Sequence, residues 1–280
     1  MKRVFIALVS LAFIMAMTMW PSAASGTDGA QPSAARSSTG AADQAAATAC
    51  QASFATGSGA SQFSVCVSPN GNLNLFSEGG VNQVFDGREG YAVCSGSFST
   101  TVSGYDVGFA ASGFLAPTIS QPTPGQFPVT ITRDTADGLF QLKQVWAKPD
   151  KNEDDVTVTM TLTNGTGGTI NSVALSRSGD FDAAGTETDN GGSAVNSAFQ
   201  WDSAIASGIQ EEGVTFGSTT QSIVETENTW YTLPTYTKCF GNIAGNPVSN
   251  QPLVSRVTYN NLGNIASGAS KTVKFRFGRL

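Results

Sequence analysis

The chain has no histidine in its 280 residues, and that absence removes more chemistry than any residue present adds. Ser-His-Asp and Cys-His nucleophilic sites, His-ligated metals and His general bases are all excluded. There is no G-x-S-x-G elbow and no S-x-x-K, so catalysis would have to run on Asp, Glu, Tyr, Lys or Arg. Charge is scarce too: Asp, Glu, Lys and Arg make up 13% of the chain, where a soluble domain carries ~25%. No basic tract occurs, which argues against nucleic acid and anionic membranes as partners. Gly, Ser, Thr, Asn and Ala fill the gap, a mixture suited to an exposed β-protein with many turns.

Long apolar runs are equally rare. The clearest follows Lys2 and Arg3, from Val4 to Trp20, and leads into Pro21-Ser22-Ala23-Ala24. A positive start, an apolar stretch below the ~20 residues of a membrane span, and small residues at the cleavage positions define a signal peptide over 1–24. The expectation is export to the periplasm, cell surface or medium, with no membrane insertion after cleavage. Losing Lys2 and Arg3 leaves 13 basic against 21 acidic residues, a net charge of −8. Residues 25–49 are Ala/Ser/Gly-rich and too poor in large apolar side chains to offset chain entropy, so they read as a flexible leader.

Cysteine is limited to four residues, Cys50, Cys66, Cys94 and Cys239. With no C-x-x-C pair and no His, two structural disulfides are expected, in one of three connectivities. The preferred pairing is Cys66 with Cys94 and Cys50 with Cys239.

From Cys50 onward the pattern is that of strands. Phe63, Val65 and Val67 alternate with polar positions, and Pro69-Asn70-Gly71-Asn72 turns the chain into Leu73–Phe76. Val156-Thr-Val-Thr-Met-Thr-Leu-Thr163 puts four apolar residues on one face and four threonines on the other. Leu139–Lys148 is its expected partner, and Trp146 shares a face with Phe140 and Leu142, which makes it a core residue. Val254–Tyr259 and Thr272–Phe277 close the series. Strands without intervening helical periodicity imply an all-β fold, a large antiparallel β-sandwich over 50–280, at its largest a two-sheet supersandwich. The proline cluster at 116–128 offers an alternative split.

Ser68-Pro-Asn-Gly-Asn72, Gly90-Tyr-Ala-Val-Cys94, Val156–Asn164 and Leu175–Asp182 resemble segments of exported bacterial β-proteins with no assigned activity. The V-T-V-T-M-T-L-T-N strand is also similar to the two-sheet folds of sugar mutarotases and glycosidase accessory domains. The resemblance implies secretion and a fold class. Mutarotase activity is not carried over, because it works through histidines.

Candidate sites fall in two segments. Asp180, Asp182, Glu187 and Asp189 surround Gly185 at a density that could hold Ca²⁺ through oxygen ligands, although the EF-hand pattern is broken at Ala184 and Gly191. Trp230, Tyr231 and Tyr236 offer flat faces for sugar rings beside Asn and Thr donors. Glu153-Asp154-Asp155 reads as loop chemistry, and the threonine row on Val156–Thr163 as β-propensity on a single strand. Glycosidase carboxylates cannot be chosen among Glu78, Glu89, Glu211, Glu212, Glu225 and Glu227, since the chemistry depends on separation in space. The sequence therefore favours a non-enzymatic secreted binding or surface module with a polysaccharide ligand. Its alternatives are a His-free carbohydrate-active hydrolase or lyase, and a structural protein contacting other envelope proteins.

Overall fold

Strands appear where the alternation demands them. In the computed structural model, β2 (Phe63–Val67) and β3 (Leu73–Glu78) flank the Asn70-Gly71 turn, with β1 (Ala52–Thr56) and β4 (Val81–Asn82) outside them in a four-stranded sheet. Gly71 sits at φ +88°, and a Cβ there would lie 2.4 Å from Gln144 Nε2. Only glycine makes that turn against that neighbour.

The residues described are 49–84, 88–96, 101–108, 110–148, 154–182, 189–194, 197–202, 207–213, 220–226, 239, 248–251 and 253–279. The segment expected to be a signal peptide (1–24), nearly all of the expected leader (25–49), Glu187, Trp230, Tyr231 and Tyr236 lie outside them.

A nine-stranded sheet runs in the order β17 (Val248–Gln251), β13 (Asp189–Ala194), β14 (Ser197–Asp202), β15 (Ser207–Gly213), β19 (Ser270–Arg279), β11 (Asp155–Asn164), β10 (Phe140–Ala147), β9 (Val129–Asp134), β8 (Thr118–Ser120). A six-stranded sheet runs β16 (Thr220–Thr226), β18 (Leu253–Ile265), β12 (Ile170–Asp180), β5 (Glu89–Ser95), β6 (Thr101–Asp106), β7 (Ala111–Ser112). Pairing within all three sheets is antiparallel. The protein is an all-β antiparallel sandwich, and no α-helix occurs among the described residues.

One core joins the three sheets. Val156, Val158, Met160 and Leu162 of β11, Val273, Phe275 and Phe277 of β19, and Trp146 of β10 meet Val93, Val173, Leu175 and Tyr259 from the six-stranded sheet. Phe63, Val65 and Phe76 add the third layer. Trp146 is fully buried and stacks on Phe277 with ring centroids 6.1 Å apart. The proline-rich stretch supplies the edge strand β8, whose residues Thr118-Ile119-Ser120 keep their N–H groups while Pro117 and Pro122 stand just outside it.

The disulfides correct the preferred pairing. Cys50 bonds Cys66, and Cys94 bonds Cys239. The first follows from β1 pairing with β2, which puts residue 50 beside that partner strand, with Gln51 N–H donating to Val67 O at 2.7 Å. In the second, Cys94 points away from the main core, into a cluster with Ala92, Ala174 and Cys239. The expected Cys66–Cys94 bond does not form because those residues belong to different sheets, β2 of the four-stranded one and β5 of the six-stranded one.

Candidate functional site

Two concentrations of polar side chains stand out, one sealed and one open. The sealed one lies between the sheets. Arg177 shares the inner face of β12 with Val173 and Leu175, and is fully buried. Its guanidinium donates to Glu89 through Nε–Oε1 at 2.8 Å and Nη2–Oε2 at 2.6 Å, and to Gln144 Oε1 at 2.9 Å and Gly71 O at 3.1 Å. The same group lies 4.8 Å from the Trp146 ring centroid and 5.5 Å from that of Tyr91. Leu73 N–H adds a 2.6 Å bond to Glu89 Oε2.

A second pair continues this network. Arg133 Nη1 meets Asp106 Oδ2 at 2.5 Å and donates to the Tyr91 hydroxyl at 3.1 Å, while Tyr91 donates to Asn70 O at 2.6 Å. Asn72 Nδ2 ties Glu89 O to Asp106 Oδ1. Burial pushes the Glu89 carboxyl up to about 6, against the opposing pull of Arg177. Burial likewise raises Asp106, against Arg133, and pushes Tyr91 up to about 12. These bonds hold the turn, both sheets and the core in one register. Every charge in the network is matched inside the fold, which is the arrangement of a structural lock.

The open concentration is a pocket of about 290 Å³ lined by Asp154, Asp155, Gln210, Arg276, Gly278 and Arg279. Antiparallel register creates it: Asp155 pairs with Gly278, and Gln210 pairs with Gly278 from the other side. Val156 and Phe277 point into the core, so Asp155, Arg276 and Gly278 face out. Arg279 Nη1 donates to Asp154 Oδ2 at 2.6 Å and also bonds Glu78. Arg276 lies a loose 4.0 Å from Asp155 and keeps 44% of its side chain exposed. The walls thus alternate guanidinium donors with carboxylate acceptors, nearly balanced in charge and without a bulky side chain on the Gly278 floor. Such a wall suits a neutral ligand carrying adjacent hydroxyls, which can both accept and donate.

Sequence reading took Glu153-Asp154-Asp155 for loop chemistry and passed over Arg276, Gln210 and Arg279. A hint was present in the last strand, whose outward positions carry Arg276 and Lys274 beside threonines. The sequence-derived residues lie elsewhere. Asp180 ends β12, is buried and ion-paired with Arg88 at 3.1 Å. Asp182 is half-buried two residues on, and Asp189 opens β13. Among the described residues no three His, Cys, Asp or Glu side chains converge as a metal set. Trp230, Tyr231 and Tyr236 fall between the end of β16 and Cys239.

The threonine row requires a correction. Hydroxyls do not stop at β11: Thr161 Oγ1 lies 2.9 Å from Thr272 Oγ1, and Thr163 Oγ1 lies 2.8 Å from Ser270 Oγ. Thr130 and Thr132 of β9, with Thr118 and Ser120 of β8, extend the same outer face.

No family model matches the chain, and no curated protein does. Among solved structures, a bacterial glucoamylase complexed with acarbose superposes with a TM-score of 0.57 at 7% identity, over 83% of this chain and 32% of the other. The chain thus spans about a third of the glucoamylase's length. A putative aldose 1-epimerase from Escherichia coli K12 gives a TM-score of 0.49 at 9% identity, over 82% of this chain and 99% of its own. At such identities the likeness to the glucoamylase is one of fold.

Proposed function

We propose that this chain is an exported, non-enzymatic β-sandwich module that binds carbohydrate. The pocket of Asp154, Asp155, Gln210, Arg276 and Arg279 carries the reading: interleaved donors and acceptors of nearly balanced charge recognise vicinal hydroxyls. The carboxylates of the sealed network, Glu89 and Asp106, are held by Arg177 and Arg133 away from solvent, where they cannot reach a substrate. A fold shared with part of a glucoamylase crystallised with acarbose is in keeping with a sugar ligand. Two disulfides suit an oxidising compartment outside the cytosol, and among the described residues no helix is long and apolar enough to cross a membrane. Trp230, Tyr231 and Tyr236 are proposed as an aromatic contribution to binding.

Retention of the mature protein on a panel of polysaccharides, with reducing ends assayed in the supernatant, tests this. Retention without sugar release, weakened by Arg276→Gln, is expected. Release of reducing ends would make the protein an enzyme, and no retention on any member of the panel would end the carbohydrate reading.

A further inference from the structure

The pocket does not end at Arg276. That residue is the first of a row on the outer face of β19, and antiparallel register sets each member beside one from β11: Arg276 with Thr157, Lys274 with Thr159, Thr272 with Thr161, Ser270 with Thr163. From Arg276 to Ser270 is six residues, roughly 20 Å at a rise of ~3.3 Å per residue. Lys274, Thr272 and Ser270 are exposed, and their β11 partners are half-buried.

We infer that the pocket and this row form one continuous site for an extended polyhydroxylated chain. The ligand is then a polysaccharide, with one sugar in the pocket and successive units along the track. The inference rests on the carbohydrate reading of the pocket and adds the size class of its ligand.

Three observations carry it. The first is continuity, since Arg276 belongs both to the pocket lining and to the track. The second is the state of the hydroxyls. In the Thr161–Thr272 and Thr163–Ser270 contacts either oxygen could be the donor, so each pair can rotate to meet a donor or an acceptor of the ligand. A polyol presents both along its length, and the threonine methyls between the hydroxyls offer apolar contact to its C–H edges. The third concerns the competing occupant. A protein partner or second copy would need an apolar or aromatic anchor at the centre of its contact. The exposed large hydrophobics among the described residues are Val81 and Leu115, and neither lies on β11 or β19.

The experiment uses the polysaccharide that the mature protein retains best, cut into a size ladder from one to eight units, with affinities measured by calorimetry. The variants are Thr161→Val/Thr272→Val, which keeps shape and β-propensity while removing both hydroxyls, and Lys274→Gln at an exposed position. Wild-type affinity is expected to rise at least tenfold with length, about 1.4 kcal/mol, and to plateau near the length of the track. The double variant should bind the shortest ligands as wild type does and lose most of that rise, and Lys274→Gln should lose part of it. Circular dichroism confirms folding, and should the double variant fail to fold, Lys274→Gln alone decides. Length-independent wild-type affinity, or a rise untouched in the folded variants, overturns the track while leaving the pocket. Absence of binding at every length overturns both. Concentration-dependent dimerisation abolished by the same variants would seat a second copy on this face and overturn the inference.

Discussion

Replacing Arg177 by Met tests the sealed network most severely. Methionine fills much of the aliphatic volume beside Trp146 but leaves the Glu89 charge buried, with Leu73 N–H as its remaining close donor. It also removes the donors to Gly71 O and Gln144 Oε1. Removing one partner of a buried pair costs about 3–5 kcal/mol, and each orphaned acceptor adds up to about 1 kcal/mol. A loss of about 3–7 kcal/mol is therefore expected at pH 7, set against a total stability on the order of 5–15 kcal/mol. The pH dependence sharpens the test. A carboxyl raised in the folded state, as Glu89 is to about 6 from 4.5, contributes stability that is full below its unfolded value and lost as pH rises through its folded value. Without Arg177 that folded value climbs further, so the variant regains more than wild type does when the pH falls from 7 to 5. The deficit should shrink by about 1 kcal/mol: at ~1.4 kcal/mol per unit the variant regains at most about 2.6 kcal/mol over these two pH units, and wild type itself regains about 1.2. Urea unfolding followed by far-UV circular dichroism and tryptophan fluorescence at both pH values measures it. A deficit below about 1 kcal/mol at pH 7, or one equal at the two pH values, would refute the account of Arg177 and Glu89 as a mutually dependent buried pair.

Other outcomes follow from single contacts. Gly90→Ala would set a Cβ 1.8 Å from Asp106 O and 2.5 Å from Val107 Cα; a fall in melting temperature of well over 5 °C is expected, and unchanged melting would mean that β5 and β6 separate freely. Non-reducing peptide mapping should recover linked Cys50–Cys66 and Cys94–Cys239 peptides; a Cys66–Cys94 peptide as the main species would contradict the sheet arrangement. Loop-closure entropy makes Cys94→Ala/Cys239→Ala the costlier bridge deletion, about 5 kcal/mol against about 3 for Cys50→Ala/Cys66→Ala, and equal losses in chemical denaturation would go against it. With Asp180 held by Arg88, EDTA should leave the melting temperature unchanged. A calcium-reversible drop would instead make Asp180, Asp182, Glu187 and Asp189 ligands.

Local alternation carried most of the architecture. The Val156–Thr163 run, the Asn70-Gly71 turn and the burial of Trp146 depend on neighbours in the chain, and a period of two is visible in the letters. The sealed network was half visible: Arg177 occupies the same parity as Val173 and Leu175, so a charge sat where an apolar residue belonged. What the letters could not show was its compensation, since Glu89 is 88 residues away and reads as one more surface acid. The pocket was hidden for the same reason. Asp154 and Arg279 are 125 residues apart and meet because β11 and β19 are neighbours in the sheet. The outer hydroxyl face needed strand order as well as strand pattern, so a single row of threonines looked like propensity alone.

The Cys94–Cys239 bridge has a consequence in time. A chain is made from its N-terminus, so Cys50 and Cys66 are both present long before residue 239 exists. Cys94 then waits through 145 residues of synthesis as an unmatched thiol on what becomes an interior strand. The partner nearest to it along the chain throughout is Cys66, the pairing preferred from the sequence. A chain oxidised as it emerges must therefore either close Cys50–Cys66 first, through the β1–β2 hairpin, or undo a wrong bond by thiol exchange. The small N-terminal sheet acts in this way as a guard on the six-stranded one, taking Cys66 out of circulation until the far end of the protein arrives.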